Sequence, residues 1–211
     1  MFIAPDKFSG LVYGALSWVF SNYIEVIATL TGLIYLVYSV RGDILLWFFG
    51  IVTSGLYIYV FFDAGIYADM GINVYYVLIS LYGWYHWRFD KSSAQKELPI
   101  SRLTRSNGII LLLISLLIFA FIAFVLNRFT NSDIALWDAF TTAFSITATW
   151  MLARKIIEHW LVWIVVDLVS AALYIYKGLY PTVLLFVVYT LLAYVGYTSW
   201  LKEWKIQEQQ T

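Results

Sequence analysis

The sequence predicts an all-α membrane protein with seven transmembrane helices in a 3+1+3 arrangement of two parallel repeats, SWEET-like, behind a short N-terminal interfacial helix. Three observations carry this. First, 62% of the 211 residues are hydrophobic and 12% are charged, against about 45–50% and about 25% in soluble domains. A soluble domain of this size cannot hide so much apolar surface, so the solvent is lipid. Second, seven windows long enough to span a bilayer follow one another along the chain. Third, the second half of the chain echoes the first at an offset of 113 residues.

The same composition excludes whole classes of function. Net charge is zero and no basic block is present to neutralise phosphates, which excludes a nucleic-acid binder. The absence of cysteine excludes disulfides, thiolate metal sites and cysteine nucleophiles. The apolar balance excludes a soluble enzyme, a secreted scaffold and a disordered chain.

A bilayer core about 30 Å thick needs roughly 20 apolar residues per helix. The windows 22–40, 43–62, 68–88, 107–127, 134–153, 160–177 and 180–201 meet that need. The alternating strands of a membrane barrel are not seen. The stretch Phe8–Phe20 is too short and too interrupted to span, and Asp6 with a single Lys7 replaces the basic start of a signal peptide. It reads as an interfacial helix with Trp18 at headgroup level. The chain thus divides into an N-terminal segment 1–21, a first three-helix repeat 22–88, a linker and connector helix 89–133, a second three-helix repeat 134–202 and a tail 203–211.

Lysine and arginine counts set the orientation. Ten of them (Arg41, Arg88, Lys91, Lys96, Arg102, Arg105, Arg154, Lys155, Lys202 and Lys205) fall on one side of the seven spans, and three (Lys7, Arg128 and Lys177) on the other. The ten-residue side is expected in the cytoplasm, together with the C-terminus.

At the offset of 113, Glu25 matches Asp138 in type, Arg41 matches Arg154, Trp47 matches Trp160, Tyr76 matches Tyr189, Gly83 matches Gly196 and Trp87 matches Trp200. The tetrapeptide Leu56-Tyr57-Ile58-Tyr59 recurs as Leu173-Tyr174-Ile175-Tyr176 at an offset of 117, which a small insertion and a later deletion would reconcile. One period holds four crossings. Both repeats then enter from the same side and are parallel, related by an axis along the membrane normal.

Polar residues within lipid are expensive and therefore informative. Asp167 lies mid-span in Trp163-Ile-Val-Val-Asp167. It is either the partner of a cationic substrate or a proton, or a structural hydrogen-bond acceptor between helices. Asn73, one turn into its helix with Tyr76 on the same face, bonds either a ligand or a neighbouring helix. Thr53 and Ser54 lie mid-span, where hydroxyls usually bond back to their own helix. Trp160 and Trp163 share one helical face, and an indole near a carboxylate suits a flat cation. Trp84, Trp87, Trp200 and Trp204 read as the interfacial aromatic belt. Tyr57, Tyr76, Tyr174 and Tyr189 either line the same path or pack between helices. Glu25 and Asp138 stand in first turns, where a carboxylate offsets the helix dipole. His86 and His159 have no metal-ligand company, and no cofactor motif is present.

Trp47-Phe-Phe-Gly50, the run Tyr67–Tyr76, Tyr82-Gly83-Trp84-Tyr85-x-Trp87, Ala153-Arg154-Lys155-x-x-Glu158-x-Trp160-x-x-Trp163 and the tail Leu173–Trp200 together resemble the PnuC family over roughly residues 22–202. The resemblance implies a bacterial inner-membrane vitamin transporter. It implies nicotinamide riboside as cargo, moved by facilitated diffusion and trapped inside by phosphorylation, with thiamine- and riboflavin-carrying relatives. It also implies a SWEET-like layout, a homotrimer, and no ATP, coupling ion or cofactor. Nicotinamide riboside members carry amides at the positions of Thr53, Asn73, Asp167 and Val195, and this chain keeps an amide only at Asn73. Asp167 adds a negative charge there. Nicotinamide riboside and thiamine are both aromatic cations, so charge does not separate them; the missing amides hold thiamine nearly level. An intramembrane lipid enzyme would need clustered acids with a metal, or a nucleophile beside a base, and Asp167 stands alone in its helix. A ligand-gated sensor is the remaining alternative, with no signalling domain attached.

Overall fold

Seven helices follow the seven apolar windows to within a few residues in the computed structural model, apart from a longer last helix: α1 (Tyr23–Arg41), α2 (Leu45–Asp63), α3 (Tyr67–Phe89), α4 (Arg105–Phe129), α5 (Ala135–Ala153), α6 (His159–Tyr176) and α7 (Tyr180–Gln209). The structure describes residues 19–63, 67–89, 98–130, 133–178 and 180–209, with Tyr13 and Ser17 besides. The expected interfacial placement of Trp18 lies outside the described residues.

Helices α1, α2, α4, α6 and α7 are long and apolar enough to cross a membrane. Helices α3 and α5 are long enough but less apolar, and their positions explain it. In α5, ten of nineteen residues are buried within the protein, among them Ser145, Thr147 and Thr149. Helix α3 carries Asn73, Ser80 and His86, all buried. Helices that face protein rather than lipid can afford polar groups.

Consecutive helices pack in two groups, α1–α2–α3 and α5–α6–α7, and α4 packs on α5. The buried hydroxyls of Ser115 and Thr147 hydrogen-bond across that contact at 2.7 Å. The groups meet where α1 touches α7 and α3 touches α5. Between α3 and α4, a strap over residues 98–104 pairs Ser101 with Ile156 in an isolated parallel bridge. Glu158 fastens the same strap, accepting from Arg102 Nε at 3.0 Å and from the Leu103 N–H at 2.9 Å.

The offset of 113 is kept by the helices themselves. Added to the bounds of α1 and α2 and to the start of α3, it reproduces the bounds of α5 and α6 and the start of α7 to within one residue. No insertion or deletion intervenes, so the tetrapeptide at 117 is not an equivalence: Leu173–Tyr176 lies about one turn beyond the counterpart of Leu56–Tyr59. The chain reversals match as well. Gly42 ends α1 with a φ of 66°, and Lys155, at the matching position after α5, has a φ of 54°.

The tryptophans bring one correction. Trp87 and Trp200 do not belong to an interfacial belt; they are buried at 4% and 0% exposure. Together with Trp47 and Trp160 they form a ring cluster with successive centroids 5.5, 6.1 and 5.9 Å apart. Trp87 Nε1, on α3, donates to the Ala153 carbonyl at the end of α5 (3.0 Å), and Trp200 Nε1, on α7, donates to the Ser39 carbonyl near the end of α1 (3.2 Å). The i, i+3 pattern cannot distinguish a belt from a contact between two groups of helices. Trp84 is 45% exposed, as a belt residue should be; Trp204 is half-buried beneath the Arg102 guanidinium.

Candidate functional site: a cavity between the two helix groups

Trp160, alone of the ring cluster, lines a cavity of about 330 Å³ that lies between the groups. A second cavity of about 260 Å³ adjoins it, and Tyr35, Thr53, Tyr57 and Trp163 line both. A larger hollow of about 620 Å³ lies on the flank of α5 and α6. Its wall includes Trp137, Leu168 and Tyr176, which are exposed, and it holds none of the expected site residues.

Helix α6 supplies the charged wall. Its first turn places Trp160 on the cavity floor, where the indole is almost fully buried and Nε1 has no partner among the described residues. Trp163 follows three residues later on the same face, and Asp167 one turn beyond, about 6 Å along the axis. Asp167 is 4% exposed and makes no hydrogen bond or ion pair among the described residues. Of its two sequence readings, the interhelical hydrogen bond is therefore not made. Tyr189 and Ala193 of α7 complete this side.

Helices α1 and α2 supply a hydroxyl wall. Thr53 Oγ1 donates to Thr31 Oγ1 at 2.9 Å, so it bridges two helices rather than bonding back to its own. The Tyr57 and Thr29 hydroxyls lie 3.2 Å apart. In the adjoining cavity Asn73 Nδ2 donates to the Asp69 carbonyl of its own helix at 2.9 Å, which leaves Oδ1 for the cavity. Tyr76 and Ser54 line that second space.

Eight of the nine expected residues therefore converge: Asp167, Trp160, Trp163, Thr53, Tyr57 and Tyr189 on the first cavity, and Asn73 and Tyr76 on the second. Tyr174 does not; it stacks on Phe186 at 5.2 Å, away from both. Of its two readings, lining the path or packing between helices, the contact with Phe186 is the packing one. Sequence reasoning missed Thr29, Gly32, Tyr35 and Ser39 of α1. Their spacing is that of one helical face and was readable, but no charge drew attention to it.

Among the described residues no group of three or more His, Asp or Glu side chains could hold a metal ion. The cavity offers a carboxylate without a counter-ion, an indole beside it and neutral hydroxyls opposite. Such a set is chemically suited to a flat cation bearing hydroxyls. Outside the membrane-spanning segments, at the far end from the ring cluster, the Lys177 ammonium bonds Asp133 and holds its carboxyl below the usual range, while Asp133 raises Lys177 in return.

The chain resembles known proteins over most of its length. The family model for the nicotinamide mononucleotide transporter matches residues 22–202. The chain is 25% identical over 204 residues to the nicotinamide riboside transporter PnuC of Escherichia coli K12, covering 85% of each. It is 24% identical over 178 residues to the riboflavin/roseoflavin transporter RibM of Streptomyces davaonensis, covering 83% of each. In three dimensions it matches a crystal structure of the vitamin B3 transporter PnuC with a TM-score of 0.71 at 24% identity, covering 94% of this chain and 89% of that one. The chain belongs to the nicotinamide mononucleotide transporter family, the family of the PnuC membrane transporters, which are carriers and not enzymes.

Proposed function

We propose that this multi-pass membrane protein is a vitamin transporter that carries nicotinamide riboside across the bacterial inner membrane by facilitated diffusion, with phosphorylation inside trapping the cargo. The observation that carries this reading is the wall of Trp163 and Asp167, which has no hydrogen-bond or ion-pair partner among the described residues, in a cavity between two helix groups. A pyridinium ring stacks on the indole with its charge toward the carboxylate, and the ribose hydroxyls meet Thr29, Thr53 and Tyr57. Curated relatives named as nicotinamide riboside transporters support the choice of cargo.

In this reading all seven helices cross the membrane as two parallel three-helix repeats joined by α4, in the SWEET-like layout, and the groups rock about the cavity. The matching helix bounds and the reciprocal tryptophan bonds support it. The C-terminus is cytoplasmic on the lysine and arginine balance. The assembly is a homotrimer by family resemblance.

A second reading has thiamine as cargo. Thr53 and Asp167 line the cavity at two positions where nicotinamide riboside carriers place amides, and a carboxamide without amide partners is poorly held. Sealed proteoliposomes decide between them. Saturable uptake of labelled nicotinamide riboside that resists unlabelled thiamine supports the first cargo. Uptake of labelled thiamine alone replaces it with the second.

A further inference from the structure

Lys155 is a buried charge to which the binding of cargo gives no role. It stands in the turn between α5 and α6, 3% exposed. Its ammonium lies 4.7 Å from the ring centre of Trp87 on α3, so the contact joins the two helix groups. The turn itself does not call for a lysine. Its φ of 54° falls in the left-handed region that glycine takes freely and a side chain resists. At the matching position of the first repeat the glycine is present: Gly42, with a φ of 66°. There the backbone itself closes on the other indole, and a Cβ on Gly42 would lie 3.7 Å from Trp200 Nε1. In the second repeat a charged side chain takes that place. Holding a lysine in this conformation and out of water is unfavourable on both counts. The indole face offsets part of that, and it belongs to the other group.

The contact stands at one end of the first cavity. Ser39 and Leu152 line that end. The Ser39 carbonyl accepts from Trp200, and Ala153, next to Leu152, accepts from Trp87. Arg154 Nη1 also crosses between the groups, to the Tyr82 hydroxyl at 3.1 Å. The Lys155 carbonyl accepts from the Ser101 N–H of the strap at 3.0 Å. Its backbone is thus fastened to the second group and the strap, while its ammonium reaches the first. On the lysine and arginine balance this end is cytoplasmic. Cargo entering the cytoplasm leaves here, and the contacts must part to let it pass.

We propose that Lys155 bolts the cytoplasmic gate of the transport path. Its ammonium on the Trp87 face holds the groups together while the path is shut, and it swings into water when they part. The proposal rests on the transporter reading and the orientation given above. It couples no ion to transport. The same lysine returns to the same face in every cycle, so the bolt sets how often the gate opens and not the direction of net flow.

The chain has no cysteine, so Ser39→Cys places a single thiol at this end of the cavity in the full-length protein. Inside-out vesicles present the cytoplasmic face to a membrane-impermeant, anionic methanethiosulfonate. With Lys155 in place the thiol should react slowly. Adding Lys155→Gly, which keeps the turn and removes the ammonium, should speed the reaction by about threefold to thirtyfold, the range that a cation–π contact spans. Lys155→Met should also speed it, and Lys155→Arg should keep the slow rate. Equal rates with lysine, glycine and methionine at 155 would overturn the bolt, as would fast labelling in Lys155→Arg. A gain confined to right-side-out vesicles would put the gate on the outer face and overturn it too. The labelling needs no cargo. If every variant failed to take up labelled nicotinamide riboside or thiamine while the labelling pattern held, the cargo reading would fall and the gate would stand.

Discussion

A Cβ on Gly196 would fall 2.5 Å from Cζ2 of Trp160, and Gly83 stands against Trp47 in the same way. Both indoles are buried with Nε1 unpartnered among the described residues, so packing holds their rings. Neither ring has room to retreat. Gly196→Ala and Gly83→Ala should each destabilise the protein by about 1–3 kcal/mol, the usual range for overpacking. Thermal unfolding in detergent checks this, and a double variant should show near-additive loss if the two sites are independent.

Trp163 borders both cavities, so truncating it removes the stacking surface from each. Trp163→Ala should weaken binding of nicotinamide riboside by about tenfold or more, and Trp163→Phe by less, because phenylalanine keeps a smaller π-face. Titration calorimetry on purified protein measures both, and equal losses in the two variants would remove stacking from the account.

Glu158 supplies two of the bonds that hold the strap over 98–104. Glu158 accepts from both Arg102 and Leu103, and its side chain is 18% exposed against 47% for Arg102. Glu158→Ala should cost about 1–2 kcal/mol, most of it from the unpaired backbone donor rather than the half-exposed ion pair. Hydrogen exchange should quicken at Ser101, Leu103 and Ile157, whose N–H groups the strap protects, while α2 remains unchanged.

The pair of Lys177 and Asp133 makes a smaller prediction with a definite sign. Its bond to Lys177 lowers the Asp133 carboxyl in the folded protein. The stabilisation is therefore complete above the ordinary carboxylate range and is lost as pH falls through the lowered value. Both groups are exposed, so Asp133→Asn should lower the melting temperature by less than about 2 °C at pH 7. The two melting curves should converge on acidification below about pH 4.

The helices were readable in the sequence because lipid imposes a length and a composition on them. The repeat was readable because paired tryptophans and glycines meet in the fold, and each constrains the other at a fixed spacing. Asp167 was readable because a charge inside lipid is rare enough to point to its own importance. Trp87 and Trp200 were misassigned for the opposite reason: an indole near a helix end suits the headgroup region and a protein interior equally, and only the Ala153 and Ser39 carbonyls decide. Tyr35 was missed because one tyrosine among seventeen carries no signal. Tyr174 was included because a tyrosine within a span suits a cavity wall and a helix contact equally, and only its stacking on Phe186 decides.

The two indole bonds between the groups have a further consequence. Trp87 of the first group holds a carbonyl of the second, and Trp200 of the second holds a carbonyl of the first. They are a pair of crossed latches. Any tilt that separates the groups at this end strains both at once, so releasing one gains little while the other holds. Separation of the groups at this end therefore requires both bonds to break together.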